Sequence, residues 1–189
     1  MDAFLTSTLL VALAEIGDKT QLLSFVLAAR LRKPAAIIAG IFVATIANHA
    51  LAGSLGVWLA SQVAPHWLPW LTGLTFVAFG LWTLHPDALD DAPQLHRAGA
   101  FVTTLIAFFI AEMGDKTQFA TIALAARFDA LYAVVLGTTL GMMLANIPAV
   151  IVGEALAQRL PMRAIRIAAA LLFIATGIVT IAAAPGVAW

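Results

Sequence analysis

Six apolar stretches, at about residues 3–29, 35–61, 67–84, 99–126, 131–157 and 164–183, leave this chain few folds to choose from. Each is near or above the roughly 20 residues that carry a helix across a bilayer core. A backbone in hydrocarbon must satisfy its own hydrogen bonds, and no alternating strand pattern is present, so the stretches are helices. With 62% hydrophobic and 11% charged residues, the 189-residue chain has too little charge to cover a soluble domain. The predicted fold class is an all-α integral membrane protein with six transmembrane helices. Charge or turn residues separate the stretches: Arg30–Pro34, Ala64–His66, His85–Asp87, Arg127–Asp129 and Leu160–Arg163. Trp58, Trp67, Trp70, Trp82 and Trp189 fall near span ends, where an interfacial aromatic belt belongs. Met1-Asp2-Ala3 lacks a basic leader, so the first stretch is expected to be a retained span.

The first and fourth stretches share an octapeptide. Ala14-Glu15-Ile16-Gly17-Asp18-Lys19-Thr20-Gln21 returns as Ala111-Glu112-Met113-Gly114-Asp115-Lys116-Thr117-Gln118, with only Ile16 changed. The likeness continues: Ala28-Ala29-Arg30 matches Ala125-Ala126-Arg127, Ala47-Asn48 matches Ala145-Asn146, and Phe76, Gly80 and Thr83 match Phe173, Gly177 and Thr180. Three helices duplicated in order, an odd number, imply two inverted-topology three-helix repeats. The expected boundaries are 1–85 for the first repeat, 86–98 for a cytoplasmic linker and 99–189 for the second. The linker holds Asp87, Asp90, Asp91 and Arg97 and reads as a solvated connector. Arg30, Arg32, Lys33, Arg97, Arg159, Arg163 and Arg166 fall on one side of the membrane and Arg127 on the other. The positive-inside rule then puts both termini outside the cytoplasm of a multi-pass inner-membrane protein.

A carboxylate in the middle of an apolar span is costly unless it has a partner, water or an ion. Glu15 and Glu112 lie near mid-depth, and inverted repeats bring such positions together. If the helices are continuous, Glu15 and Asp18 are i, i+3 and share a face, as do Glu112 and Asp115. Gln21 and Gln118 extend that side, and Asn48 and Asn146 add amide oxygens from the following helices. An all-oxygen set suits hard divalent cations such as Mn²⁺, Ca²⁺ or Mg²⁺, whereas zinc and copper more often recruit His or Cys. The chain has no cysteine, which excludes thiolate sites and thiol nucleophiles. Four carboxylates against Lys19 and Lys116 leave a formal −2, so the site suits one divalent ion or about two protons.

Blander readings exist for each element. Lys19 could pair with Glu15 along one helix, and Thr20 and Thr117 could bond back to their own helices. Asn48 and Asn146 could serve as helix glue. Gly17 and Gly114 could permit close approach or a locally broken turn. His49 has Ile147 at its counterpart and reads as a packed side chain, with gating or proton relay the alternative. Pro148, Gly137 and Gly141 are expected to shape the fifth span, and Glu154 to lie at an interface.

Glu15-Ile16-Gly17-Asp18-Lys19-Thr20 and Glu112-Met113-Gly114-Asp115-Lys116-Thr117 together resemble the Glu-x-Gly-Asp-(Lys/Arg)-(Thr/Ser) signature of the GDT family, and the likeness covers the whole chain. The family comprises Golgi cation/proton exchangers and bacterial manganese exporters. The resemblance implies secondary active export of Mn²⁺ and/or Ca²⁺ in exchange for protons, with Glu15, Asp18, Glu112 and Asp115 at the positions that bind the cation. The implied partners are the divalent cation, protons and the lipid bilayer, with no resident cofactor. A net charge of zero argues against nucleic acid, and self-association stays open. Two other classes remain: a membrane-embedded enzyme using the carboxylates as acid and base, and a passive cation channel.

Overall fold

In a computed structural model, residues 1–85, 99–152 and 161–184 are described. The linker 86–98, with Asp87, Asp90, Asp91 and Arg97, lies outside the described residues, as do Glu154, Arg159 and Trp189. All regular structure among the described residues is helical: α1 (Asp2–Glu15), α2 (Lys19–Leu31), α3 (Pro34–Gln62), α4 (Leu68–Thr83), α5 (Ala100–Glu112), α6 (Lys116–Phe128), α7 (Leu131–Val152) and α8 (Met162–Ala182). By length and composition α3, α7 and α8 can each cross a membrane, while α4 and α5 are shorter apolar helices.

The stretches 3–29 and 99–126 are not continuous helices; each is broken at its motif, for a local reason. Ile16 leaves the helix in an extended conformation, Gly17 turns at φ +86°, and Asp18 restarts at φ −86°, ψ 170°. Met113, Gly114 (φ +77°) and Asp115 repeat the sequence of conformations. A left-handed residue costs glycine little and other residues about 1–2 kcal/mol. Each glycine therefore reverses the sign of φ where its helix must stop and begin again. The likeness of the halves extends to the ends of α2 and α6, where Arg32 (φ 51°) and Asp129 (φ 47°) form left-handed caps. Their N–H groups donate to Ala28 O at 3.1 Å and Ala125 O at 3.0 Å.

Many polar side chains are buried beside the apolar core, while large apolar side chains cover the outside. Glu15, Thr20, Gln21, Ser24, Asn48, His49, Glu112, Thr117 and Asn146 are buried, while Leu5, Leu9, Phe42, Leu51, Leu74, Ile151 and Leu171 face outward. A hydrocarbon solvent favours that arrangement and water does not. Trp58, Trp67, Trp70 and Trp82 are exposed, and α4 and α8 pack along each other. A β-carbon at Gly73 would lie 2.8 Å from the Gly177 carbonyl oxygen, and one at Gly177 2.5 Å from that of Gly73. Bare backbone at both positions lets the pair close, and the Phe76 and Phe173 rings stack with centroids 6.4 Å apart. Gly137 and Gly141 let α1 close on α7, since a β-carbon on either would lie within 2.6 Å of a carbonyl oxygen of α1. Pro148 sits inside α7.

Candidate cation site

The carboxylates that flank the two breaks meet in the interior, and the main-chain ends the breaks create carry the polar chemistry. Glu15 is the last residue of α1 and Asp18 caps α2; Glu112 and Asp115 have the same places on α5 and α6. The expected i, i+3 pairing on one helix face is therefore corrected: a glycine turn separates each glutamate from its aspartate. The turns are held alike. Asp18 N–H donates to Glu15 O and Asp115 N–H to Glu112 O, both at 3.1 Å. Gly17 N–H donates to Gln21 Oε1 at 2.9 Å, and Gly114 N–H to Gln118 Oε1 at 2.8 Å.

Across the interface Glu15, Glu112 and Asp115 converge, with one carboxylate oxygen from each within 4.8 Å of the others. All three are buried, the glutamates fully. At an effective dielectric of about 20, two unit charges at that distance repel by about 3 kcal/mol, so the trio demands counter-charge. Some of it is hydrogen bonding. Thr20 Oγ1 donates to Glu15 Oε2, and Thr117 Oγ1 donates to Glu112 Oε2 at 3.1 Å. Thr117 also faces Glu15. Both threonines thus serve the glutamate five residues back, not their own helices. The other oxygens, Glu15 Oε1, Glu112 Oε1 and Asp115 Oδ2, are buried with no hydrogen-bond donor among the described residues. Three unmet acceptors on converging carboxylates fit a bare cation with oxygen preference.

The lysines cross between copies. Lys19 Nζ lies 2.9 Å from Asp115 Oδ1, and Lys116 Nζ lies 3.7 Å from Asp18 Oδ1. The expected alternative of a Glu15–Lys19 bridge along one helix is replaced by this exchange, because the break aims each lysine at the opposite motif. Lys116 also donates to His85 O at 3.2 Å and lies 6.0 Å from the Trp82 ring centroid.

The amides divide by task. Asn48 donates to Phe109 O at 3.1 Å, and its Oδ1 is buried without a donor. Asn146 Oδ1 accepts from Ser24 at 2.7 Å, and its Nδ2 donates to Met142 O at 3.0 Å, so both ends bind neighbouring protein. Gln21 spans its own turn and α7, donating to Ala145 O at 3.0 Å. Gln118 is half-buried beside its turn. His49 is buried, and neither ring nitrogen has a hydrogen-bond partner among the described residues. Sequence reasoning left Thr20 and Thr117 out of the site, although their fixed place after the lysine was the available signal. It assigned no site role to Met162, Arg166, Thr83 and His85, which gather around the first break; of these only Thr83 was marked, as a repeat match.

Comparison with known proteins agrees with this chemistry. The family described as divalent cation/proton antiporter GDT1 matches residues 3–91 and 100–187. A Vibrio cholerae protein named "Putative manganese exporter" is 50% identical over 181 residues, spanning 95% of this chain and 90% of its own length. The Arabidopsis thaliana "GDT1-like protein 4" is 30% identical, and "GDT1-like protein 5" of Oryza sativa subsp. japonica is 27% identical. Those alignments span 94% of each chain for the first, and 98% of this chain and 96% of its own for the second. No solved structure matches the chain. This is a family of transporters and not of enzymes, which sets aside the acid–base reading of the carboxylates. The chain belongs to the GDT1 family of divalent cation/proton antiporters.

Proposed function

We propose that the protein exports Mn²⁺ and/or Ca²⁺ from the cytoplasm in exchange for protons, through one site made by both motifs. The observation that carries this reading is the convergence of Glu15, Glu112 and Asp115 with an unmet oxygen on each. Asp18 and the unpartnered Asn48 Oδ1 complete the inner set. Gln21, Gln118 and Asn146 take the outer positions, where they hold the two turns and α7. Membership of a divalent cation/proton antiporter family and the name of the Vibrio cholerae relative support the cargo and the counter-ion. Four buried carboxylates that lose a divalent ion are stabilised by taking up protons, which supplies the exchange.

The proposed architecture is six membrane crossings in two inverted repeats, 1–85 and 99–189, joined by a cytoplasmic linker at 86–98. α1 with α2, and α5 with α6, would each make one broken crossing. At 1.5 Å per residue, 14 and 13 helical residues span about 40 Å end to end, enough for a bilayer core. The matched breaks and matched left-handed caps support the duplication. Both termini would face away from the cytoplasm of the inner membrane, as the basic residues favour.

The experiment is ion uptake into proteoliposomes, comparing Mn²⁺ and Ca²⁺ under an imposed pH gradient. Uptake that follows the gradient and is lost in Asp115→Asn is expected. Downhill flux indifferent to pH would replace the exchanger by a channel, and no flux of either ion would remove the transport reading.

A further inference from the structure

We propose that Lys19 is the exchangeable resident counter-ion of the cation site: it holds Asp115 while no ion is bound and is displaced when the divalent cation arrives. The inference rests on the carboxylate cluster being the cation site and assigns a task to a residue that is not a ligand.

The two crossed pairs differ in a way that selects Lys19. Its ammonium makes the closer contact, 2.9 Å to Asp115 Oδ1, and its side chain is 25% exposed while that of Asp115 is 4% exposed. Lys19 is thus the less enclosed of the two lysines, with room for its long stem to swing away from Asp115. Lys116 is more firmly placed, its side chain 10% exposed, 3.7 Å from Asp18 Oδ1 and donating to His85 O at 3.2 Å. Lys116 thus serves as a fixed charge and Lys19 as a movable one.

Charge and geometry then make Lys19 a competitor of the ion. Lys19 contacts Asp115 and lies close enough to Glu112 and Asp18 to feel their charge. Asp115 is the member of the trio whose Oδ1 the lysine occupies and whose Oδ2 is unmet. A divalent ion bonded to an Asp115 oxygen at the usual oxygen distance of about 2.0–2.6 Å would sit close to the ammonium on the same carboxylate. Two cations cannot both hold one buried carboxylate at that spacing without strong repulsion. The ammonium yields because it is a single charge on a flexible stem, whereas a divalent ion draws on all three converging carboxylates at once. When the ion leaves, Lys19 returns, so the empty site is never left with its full uncompensated charge. Lys19 is a positioning residue: it tunes how tightly the site holds the ion and how readily it releases it.

The test measures Mn²⁺ binding to purified full-length protein in detergent by calorimetry, and Mn²⁺ transport in proteoliposomes, for wild type, Lys19→Gln and Lys19→Arg. Lys19→Gln is expected to bind Mn²⁺ about tenfold tighter or more, because a repelling charge has gone. Its maximal turnover is expected to fall, because release slows. Lys19→Arg keeps the charge and is expected to restore both values towards wild type. A merely structural lysine would lower affinity and turnover together. Folded Lys19→Gln that binds Mn²⁺ no tighter than wild type overturns the inference. Should that variant not fold, Lys19→Met, which keeps the stem and drops only the charge, is read by the same criterion. Wild-type protein that binds no Mn²⁺ defeats the site assignment itself and this inference with it.

Discussion

The two motif copies differ at one position in eight, yet they sit in different surroundings. The first break is covered: a β-carbon on Gly17 would lie 3.0 Å from Met162 Sδ, and Thr83, His85, Lys116 and Arg166 close a small polar cleft around Asp18. Among the described residues the second break is bare, with nothing within 4 Å of such a carbon on Gly114 and Met113 58% exposed. The cause lies outside the motifs. α4 and α8 pack along each other, α8 touching α1 and α4 touching α6, so the start of α8 falls over the first turn. Sequence identity fixes the shape of each turn, and the neighbouring helix pair decides which turn is covered. A carrier has to be able to treat two chemically matching halves unequally, and here the unequal part is the helix pair that carries no motif.

The largest expected effect tests whether the halves are also unequal at the ion. Asp115 belongs to the converging trio, whereas Asp18 lies outside that trio and faces Lys116. Losing a residue that merely orients a ligand costs about 10–100-fold in metal affinity, so losing a ligand is expected to cost more than about 100-fold. Asp115→Asn should therefore cost over about 100-fold in Mn²⁺ affinity measured by calorimetry, and Asp18→Asn distinctly less. Equal losses would show that the two copies contribute alike and would remove the distinction.

The next effect belongs to the threonines. Thr20 serves Glu15, while Thr117 serves Glu112 and also faces Glu15. Replacement by valine keeps the shape and leaves carboxylate oxygens without donors. Thr117→Val is expected to raise the apparent KM for Mn²⁺ by about 10–100-fold in vesicle transport, with Thr20→Val at the lower end of that range. A larger loss in Thr20→Val would reverse the assignment.

Much of this organisation was legible in the sequence. Apolar lengths gave helices, and the octapeptide gave two matching motifs that come together, because bilayer thickness and the cost of buried charge leave few alternatives. The glycine breaks were visible only as an option. A glycine within an apolar run weakens a helix without declaring that φ turns positive, and the i, i+3 pairing of Glu15 with Asp18 failed for that reason. Lys19 was hidden for a related cause. Along an unbroken helix it faces Glu15, and only the turn sends it to Asp115, 96 residues away in the chain. The covering of Gly17 by Met162 could not be read at all, since it depends on how α8 is placed and on no local pattern.

That covering predicts a third difference, in stability. Alanine at either glycine is held at positive φ, at a cost of about 1–2 kcal/mol. Gly17→Ala must also push Met162 Sδ from 3.0 Å, so it should unfold in detergent at a lower temperature than Gly114→Ala. Adding Met162→Ala should bring Gly17→Ala back to the Gly114→Ala value. Equal melting temperatures for the two single variants would mean that the cover exerts no pressure on the turn.

The smallest effect lies at the matched left-handed caps, where the halves ought to behave alike. Arg32 and Asp129 occupy φ 51° and 47° with side chains of opposite charge, and each cap N–H closes on a carbonyl four residues back. The strain of a side chain in this region is backbone strain and owes nothing to charge, so glycine should relieve both positions similarly. Against that gain stands the greater freedom glycine has in the unfolded chain, which offsets part of it. Arg32→Gly and Asp129→Gly are each expected to stabilise by no more than about 1 kcal/mol, and by matching amounts. A gain at one cap and a loss at the other in thermal unfolding would show that a side chain there makes a contact the duplication does not share. The inequality between the halves would then reach beyond the cover on the first turn, to the ends of the helices that carry the motifs.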